Sequence, residues 1–422
     1  MTLKIVTNVP KNENDLLSFG LDELAKLGAK RILTQALLLE TDEYVNAFKE
    51  QRDSKGHRLV VKNGKAKPRK ITMGSGTVEV TAPRVNDKRV GEKFESKILP
   101  PYLRKSPNVE SILPLLYLKG LSGNSFNDAL ENLLGSDAAG LSSSSISILK
   151  KQWQQEFRDW KKRDILEEFV YLWCDGVNFK VRLGDDKRAS LLVVIGVNAK
   201  GEKKLLAAEG GYRESKESWK TLFLDLESRG LKPPLLLLGD GALGLWSCMR
   251  ELELFKQTKE QRCWIHKMAN VLNVLPKRVH GQAKSLLKEM MMAPSKTEAN
   301  RQLTIFQSTF EDKYEKAYVC LKKDWSALTN FFDFPAAQWS SLRTTNPIES
   351  AFASVKQRTA STKGAGSVMM AEGLSFKLLK ECEKKWRPIR GHKEIEKQLS
   401  GALYKDGILV EKRINQEESC LG

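Results

Sequence analysis

Between Glu168 and Ile265 the chain passes through short apolar runs of strand length that alternate with amphipathic stretches of helical length, and this alternation constrains the fold most. Phe169–Cys174 reads as a buried strand. Leu191–Val197 and Lys204–Ala208 read as a second and a third, and Leu235–Leu238 as a fourth. Arg262-Cys263-Trp264-Ile265 reads as a short fifth strand. Ser215–Arg229 and Gly244–Phe255 carry apolar residues at helical spacing. Three neighbouring strands followed by helix, strand, helix and strand require one sheet with helices packed on it, an α/β arrangement.

That element order is the one found in ribonuclease-H-like domains, although a generic α/β sheet fits it as well. The flanks differ. Leu16–Arg52 has helical spacing. Arg52–Lys70 holds eight basic residues against one acid, Asp53, and reads either as a flexible basic arm along phosphates or as a solvated loop. Thr77–Thr81 alternates like a strand, and Gly74 and Gly76 before it suggest a hairpin turn. Ser106–Phe157 divides into helices at Ile112–Leu118, Ser125–Leu134 and Ile146–Phe157, with a turn at Gly135–Leu141. Lys150 and Lys151 on the last helix suit a helix-turn-helix that meets DNA, or three-helix packing without DNA contact. Asn270 to Trp339 reads as wholly helical, helices resume at Asn346, and from Arg390 the chain is polar and weakly patterned. The expected domains are a basic N-terminal helix/hairpin region (1–105), a helix-turn-helix-like domain (106–165), a catalytic α/β domain (166–268 and 341–390), a helical insertion (269–340) and a tail (391–422). The expected fold is α+β overall: an α/β domain interrupted by an all-helical insertion and preceded by a mostly helical region expected to bind DNA.

Lys and Arg outnumber Asp and Glu by 70 to 52, a formal charge of +18, which favours a polyanionic partner, nucleic acid before an anionic membrane surface. The longest apolar runs fall far short of the roughly 18 residues of a membrane span. Six scattered cysteines without a CxxC pair fit a reducing cytosol rather than a disulfide framework.

Against that basic background, three carboxylates stand out. Asp175 directly follows the first strand, in Trp173-Cys174-Asp175-Gly176, and Asp240 follows the fourth, in Leu238-Gly239-Asp240-Gly241. Strand ends are where sheet-based sites are built. Two carboxylates there can share the divalent cations of two-metal phosphoryl transfer, whereas each Asp-Gly alone reads equally as a turn. Glu349 lies in Arg343-Thr344-Thr345-Asn346-Pro347-Ile348-Glu349. With Asn346 as N-cap and Pro347 as the first helical residue, Glu349 either completes a capping box or holds metal. Lys356, two helical turns further on the same face, suits a DNA phosphate. Arg343 and Arg358 suit phosphates or surface ion pairs. Asp185 and Asp186 read as a hairpin turn, and Glu209, Glu214 and Asp225 as ordinary edge charges.

Asp175-Gly176, Leu238-Gly239-Asp240-Gly241, Cys263-Trp264-Ile265-His266-Lys267 and Arg343 to Glu349 together resemble the signatures of Mutator-type transposases, in their bacterial insertion-sequence branch. The resemblance spans about residues 20 to 390. It implies a ribonuclease-H-like fold, an Asp175–Asp240–Glu349 triad binding two Mg²⁺ ions (Mn²⁺ able to substitute), and a helical insertion that accounts for the 109 residues from Asp240 to Glu349. Read alone, Cys263-x-x-His266 is half of a zinc site. The resemblance instead places it near the active site, with Cys263 in the core and His266 reaching toward the metals or the scissile phosphate. Trp264, alternating with Cys263 along the strand, is expected in the core or stacked on a DNA base.

The implied function is cleavage and strand transfer at the terminal inverted repeats of an insertion sequence, on double-stranded DNA. It would be carried out by a homodimer or larger assembly in the bacterial cytoplasm, associated with the nucleoid. A nuclease without strand transfer, and a silent DNA-binding derivative, are the competing readings.

Overall fold

The computed structural model describes residues 19–118, 134, 143–180, 188–211, 214–361 and 368–410. The expected helix Ser125–Leu134 and turn Gly135–Leu141 of the helix-turn-helix, apart from Leu134, and the Asp185/Asp186 turn lie outside the described residues. The chain divides into two compact units, 1–149 and 150–422.

In the first unit α1 (Leu21–Ala47) is followed by β1 (Val60–Lys65), β2 (Arg69–Met73), β3 (Gly76–Val80) and β4 (Pro83–Asp87), and then by α2 (Pro107–Leu118). β2 and β3 form the expected hairpin, with Met73 opposite Gly76. β1 pairs antiparallel with β4, so Val60–Lys65 of the basic stretch after Arg52 is strand rather than a flexible arm. Leu37 of α1 packs with Ile71, Val78, Val80 and Leu99 in a small core.

The second unit holds most of α3 (Ser143–Lys161), followed by β5 (Phe169–Lys180), β6 (Arg188–Asn198), β7 (Lys203–Gly211), α4 (Lys216–Ser228), β8 (Leu236–Gly239), α5 (Leu243–Glu251) and β9 (Lys259–Arg262). The five strands form one mixed sheet in the order β7-β6-β5-β8-β9. β5, β6 and β7 pair antiparallel, whereas β8 and β9 extend the sheet in parallel with β5. Burial of both faces explains the apolar runs: Val170 to Cys174 and Leu191 to Ile195 are almost wholly inaccessible. Trp219, Leu222, Phe223 and Leu226, one stripe of α4, join Leu245, Trp246, Cys248 and Met249 of α5 in one hydrophobic core.

The helical insertion follows as α6 (Trp264–Asn273), α7 (His280–Met292), α8 (Lys296–Lys323), α9 (Trp325–Thr329) and α10 (Trp339–Leu342). The fifth strand therefore ends at Arg262. Cys263 is the N-cap of α6, and Trp264 is its first residue rather than a strand position. α11 (Asn346–Ser361) and α12 (Val368–Glu383) complete the unit, with α13 (Ile395–Leu399) and a two-residue hairpin of β10 (Tyr404–Lys405) and β11 (Ile408–Leu409).

Both open edges of the sheet are covered, as exposed ladder groups require. On β7, Leu205 N–H donates to Glu383 and Gly210 N–H to Glu372, both on α12 and both at 2.8 Å. On β9 the buried Gln261 donates to Leu328 O and accepts from Phe331 N–H, while Asn330 donates to Glu260 O. Side chains thus continue the ladder and dock the insertion on the strand that it follows. The weakly patterned region after Arg390 is folded to residue 410. Gln398 lies 2.9 Å from the buried Tyr171 hydroxyl, and Asp406 accepts from Lys296 N–H at 2.6 Å. Among the described residues no helix is long and apolar enough to cross a membrane.

Candidate active site

The parallel register of β5 and β8 ends at Cys174 opposite Gly239, so Asp175 and Asp240 are the next residues on two adjacent strands. Asp240 leaves its strand as expected. Gly241 turns the chain at φ +98°, a conformation that favours glycine, and Ala242 N–H donates to Asp240 Oδ1 at 2.8 Å. Asp175 does not end its strand: β5 continues five residues beyond it, with Asp175 opposite Val193 of β6. Only its parallel neighbour stops there, and that opens the crevice.

A third carboxylate joins them. Oxygens of Asp175, Glu214 and Asp240 lie within 4.8 Å of one another. Glu214 is not the ordinary edge charge that its local sequence suggests. β7 runs parallel to β5 two strands away, so the residues after it return to the same end of the sheet. Glu214 stands just before Ser215, the N-cap of α4. A Cβ on Gly176 would fall 2.8 Å from Glu214 Oε2, so the glycine leaves room for that carboxylate. Burial and the negative charge of Asp240 push both Asp175 and Glu214 up to about 7. Asp175 is only 7% exposed, and among the described residues no Lys or Arg forms an ion pair with these three carboxylates.

Glu349 arrives from the far side of the insertion. Trp264 N–H donates to Arg343 O at 2.9 Å and Thr345 N–H to Cys263 Sγ at 3.4 Å, so residues 343–345 lie along the start of α6. α11 then packs against β5 and brings Glu349 near enough for its charge to act on Asp175. Its helix begins at Asn346, one residue earlier than a capping box needs. The Glu349 carboxylate accepts from the Thr345 hydroxyl at 2.7 Å, and the Thr345 N–H goes to sulfur. The Asn346 capping box is therefore not formed, and the carboxylate bonds instead to Thr345, the residue before the helix.

His266 Nδ1 lies 3.6 Å from Glu349 Oε1, and Cys263, His266 and Glu349 form a second close group of ligand atoms. A hydrogen bond with Cys263 raises His266 to about 9, with Glu349 and Asp240 adding to it. Burial works against the Cys263 thiolate, but bonds from His266 and Thr345 outweigh it and lower its pKa.

Other expected site residues are dispersed. Trp264 is fully buried, donates to Leu328 O at 2.8 Å and meets Trp325 edge to face, which rules out base stacking in this conformation. Arg343 is 8% exposed, its guanidinium 4.8 Å from the Phe331 ring centre and 5.2 Å from that of Trp339. Burial draws it down to about 10. It braces the insertion instead of reaching a phosphate or a surface ion pair. Lys356 is exposed on α11, and the Arg358 side chain lies outside the described residues. Lys151 is exposed and Lys150 half-buried on α3, a helix whose Phe157 and Trp160 pack with tilted rings against Phe376 of α12.

A family model described as "Transposase, Mutator family" matches residues 1–387. The transposase for insertion sequence element IS6120 of Mycolicibacterium smegmatis is 45% identical over 305 residues, 72% of this chain and 93% of that one. The transposase for IST2 of Acidithiobacillus ferrooxidans is 42% identical over 282 residues, 67% and 95% of the two chains. That for IS905 of Lactococcus lactis is 25% identical over 350 residues, 82% and 86%.

Proposed function

This chain belongs to the Mutator family of transposases, enzymes that act on DNA, and from that premise we propose that it cleaves and joins DNA strands at Asp175, Asp240 and Glu349. The observation that carries the reading is the pair of adjacent strand positions, Asp175 and Asp240, joined by Glu214 and, among the described residues, ion-paired to no Lys or Arg in a chain of formal charge +18. Carboxylates crowded this closely repel one another unless they are protonated or share a cation, and an all-oxygen donor set suits a hard divalent ion. The residues therefore fit Mg²⁺, with Mn²⁺ as a substitute. Asp175 and Asp240 would hold it, with Glu349 on one side and Glu214 as a fourth carboxylate on the other. When bound, two such ions supply activation of the attacking oxygen and stabilisation of the leaving oxygen.

The protein's own groups orient the substrate. Protonated His266 places positive charge beside Glu349, where a scissile phosphate would lie. Lys356 and Arg358 on α11 serve the flanking phosphates. No Tyr or Ser nucleophile is needed, because the attacking oxygen comes from water for cleavage and from a DNA 3′-hydroxyl for joining. Three antiparallel strands extended by two parallel ones, with a helix on the connection from β7 to β8, support a ribonuclease-H-like reading of the catalytic domain. The first unit, and Lys150 and Lys151, are assigned to the terminal inverted repeats, with two or more copies holding the two ends.

The test is Asp240→Asn on an element-end duplex with Mg²⁺. Loss of cleavage by about 10²–10³-fold, with folding retained, is expected by analogy with removal of a charge-stabilising group. Full cleavage by the folded variant overturns the assignment. Joined products with a supercoiled target distinguish a transposase from a simple nuclease.

A further inference from the structure

We propose that Cys263, His266 and Glu349 form a second cation site, selective for a borderline-soft ion of the zinc class, which competes with the catalytic carboxylates for Glu349. The proposal rests on the assignment of Glu349 to the active site.

The sequence offers only half of such a site, and the fold supplies the missing ligand from 83 residues beyond His266. The sulfur, ring nitrogen and carboxylate oxygen lie within 4.8 Å of one another. Ligands at about 2.0–2.3 Å around a tetrahedral ion need separations slightly smaller than this, so side-chain adjustment suffices. His266 Nδ1 and Glu349 Oε1, 3.6 Å apart, already have such a separation.

The surroundings are those of a built ligand set. Cys263 is fixed as the N-cap of α6, and its sulfur receives Thr345 N–H at 3.4 Å. The Thr345 hydroxyl donates to Glu349 Oε1 at 2.7 Å, the kind of outer hydrogen bond that orients a ligating carboxylate. Cys263 is wholly buried, whereas the His266 and Glu349 side chains are 39% and 36% exposed. An ion can thus enter from the solvent side and keep water as its fourth ligand. Binding needs the Cys263 thiolate and a neutral His266 imidazole, so the protons that these two groups carry are released to solvent.

The two sites differ in chemistry. Asp175, Glu214 and Asp240 offer oxygen alone, which suits Mg²⁺. Sulfur and imidazole favour zinc and disfavour magnesium. Glu349 stands between them, so an ion on Cys263 and His266 draws it from Asp175 and Asp240. Zinc is then an inhibitor of this enzyme, not its cofactor.

The experiment titrates the full-length reduced protein with Co²⁺ as a spectroscopic probe, then displaces it with Zn²⁺. One Co²⁺ per chain giving a thiolate-to-cobalt absorption band is expected, and absence of that band overturns the proposal. Cys263→Ser should abolish the band, and a band that persists in the variant overturns the assignment to this sulfur. If Cys263→Ser does not fold, Glu349→Gln keeps the sulfur and should weaken Co²⁺ binding by at least the roughly 10- to 100-fold that loss of an outer partner costs. Unchanged affinity there rules out Glu349 as a ligand. In Mg²⁺-dependent cleavage, Zn²⁺ should inhibit over the same concentration range in which it displaces Co²⁺. Zinc that binds the thiolate and leaves cleavage untouched refutes the competition. A chain that shows the cobalt band but never cleaves DNA refutes the catalytic assignment and leaves the cation site standing.

Discussion

Replacing Asp324 by Asn should separate the docking of the helical insertion from the chemistry of the site. Asp324 lies between α8 and α9, and one of its oxygens, Oδ2, accepts from both Arg262 at the end of β9 and Lys267 on α6. Lys267 is 2% exposed, so its ammonium has little water to return to. Asn keeps the shape and one acceptor but removes the charge, leaving two cations facing each other. Breaking a buried ion pair on one side costs about 3–5 kcal/mol, because the remaining charge stays desolvated. Arg262 and Lys267 flank the Cys263–His266 segment, so loosening them also loosens the route by which residues 343–349 return to the sheet. Urea denaturation followed by tryptophan fluorescence should show a loss of that size, and Mg²⁺-dependent cleavage should fall with it. Lys267→Met added to Asp324→Asn should recover part of the loss. A loss below about 1 kcal/mol, the range of an exposed pair, would refute the argument that this triad is desolvated and holds the insertion in place.

Further predictions concern the carboxylates. Gly176→Ala brings a methyl within 2.8 Å of Glu214 Oε2, at the end of a flexible side chain, so Glu214 should swing away at little cost in stability. Weaker Mg²⁺ binding with a nearly unchanged melting temperature is the expected outcome, and unchanged Mg²⁺ affinity would remove Glu214 from the site. The metal-free protein should lose stability as pH rises. Asp175 and Glu214 are raised to about 7 from the usual carboxylate range, so the folded chain holds protons that the unfolded chain has released between about pH 4 and 7. Their contribution is complete below pH 4 and gone above about 7. Thermal melts in chelator should decline across that window, and Mg²⁺ should reverse the decline at pH 8. A melt that rises with pH, equally in the Asp175→Asn variant, would contradict the sign.

Much of this architecture is legible in the chain. Both-faces-buried strands read as continuous apolar runs, and the order of strands and helices points to one sheet. Asp175 and Asp240 are recognisable because each follows such a run. The misreadings have physical causes. Cys263-Trp264-Ile265 is apolar enough for a strand, but Cys263 caps a helix and Trp264 is its first residue, a boundary that short apolar runs do not reveal. β5 continues past Asp175 because β6 still pairs with it there, a partner invisible in the local sequence. Glu214 carries no motif. The one signal is its place after the third strand of an antiparallel meander, which must finish at the same end of the sheet as the first. Arg343 looks like a phosphate contact from composition, and only the rings of Phe331 and Trp339 show why a guanidinium is buried there. The polar segment after Arg390 folds through long-range bonds to Tyr171 and Lys296, which no local pattern encodes.

If Glu349 serves the reaction rather than the start of its helix, single-turnover cleavage of an element-end duplex by Glu349→Gln will reveal it. Glutamine preserves length, helical preference and an oxygen able to accept the Thr345 hydroxyl, so a structural role predicts near wild-type cleavage. A catalytic role predicts a folded protein with an unchanged melting temperature, DNA binding intact, and cleavage reduced by about 10²–10³-fold in Mg²⁺. Wild-type cleavage by that variant would contradict it.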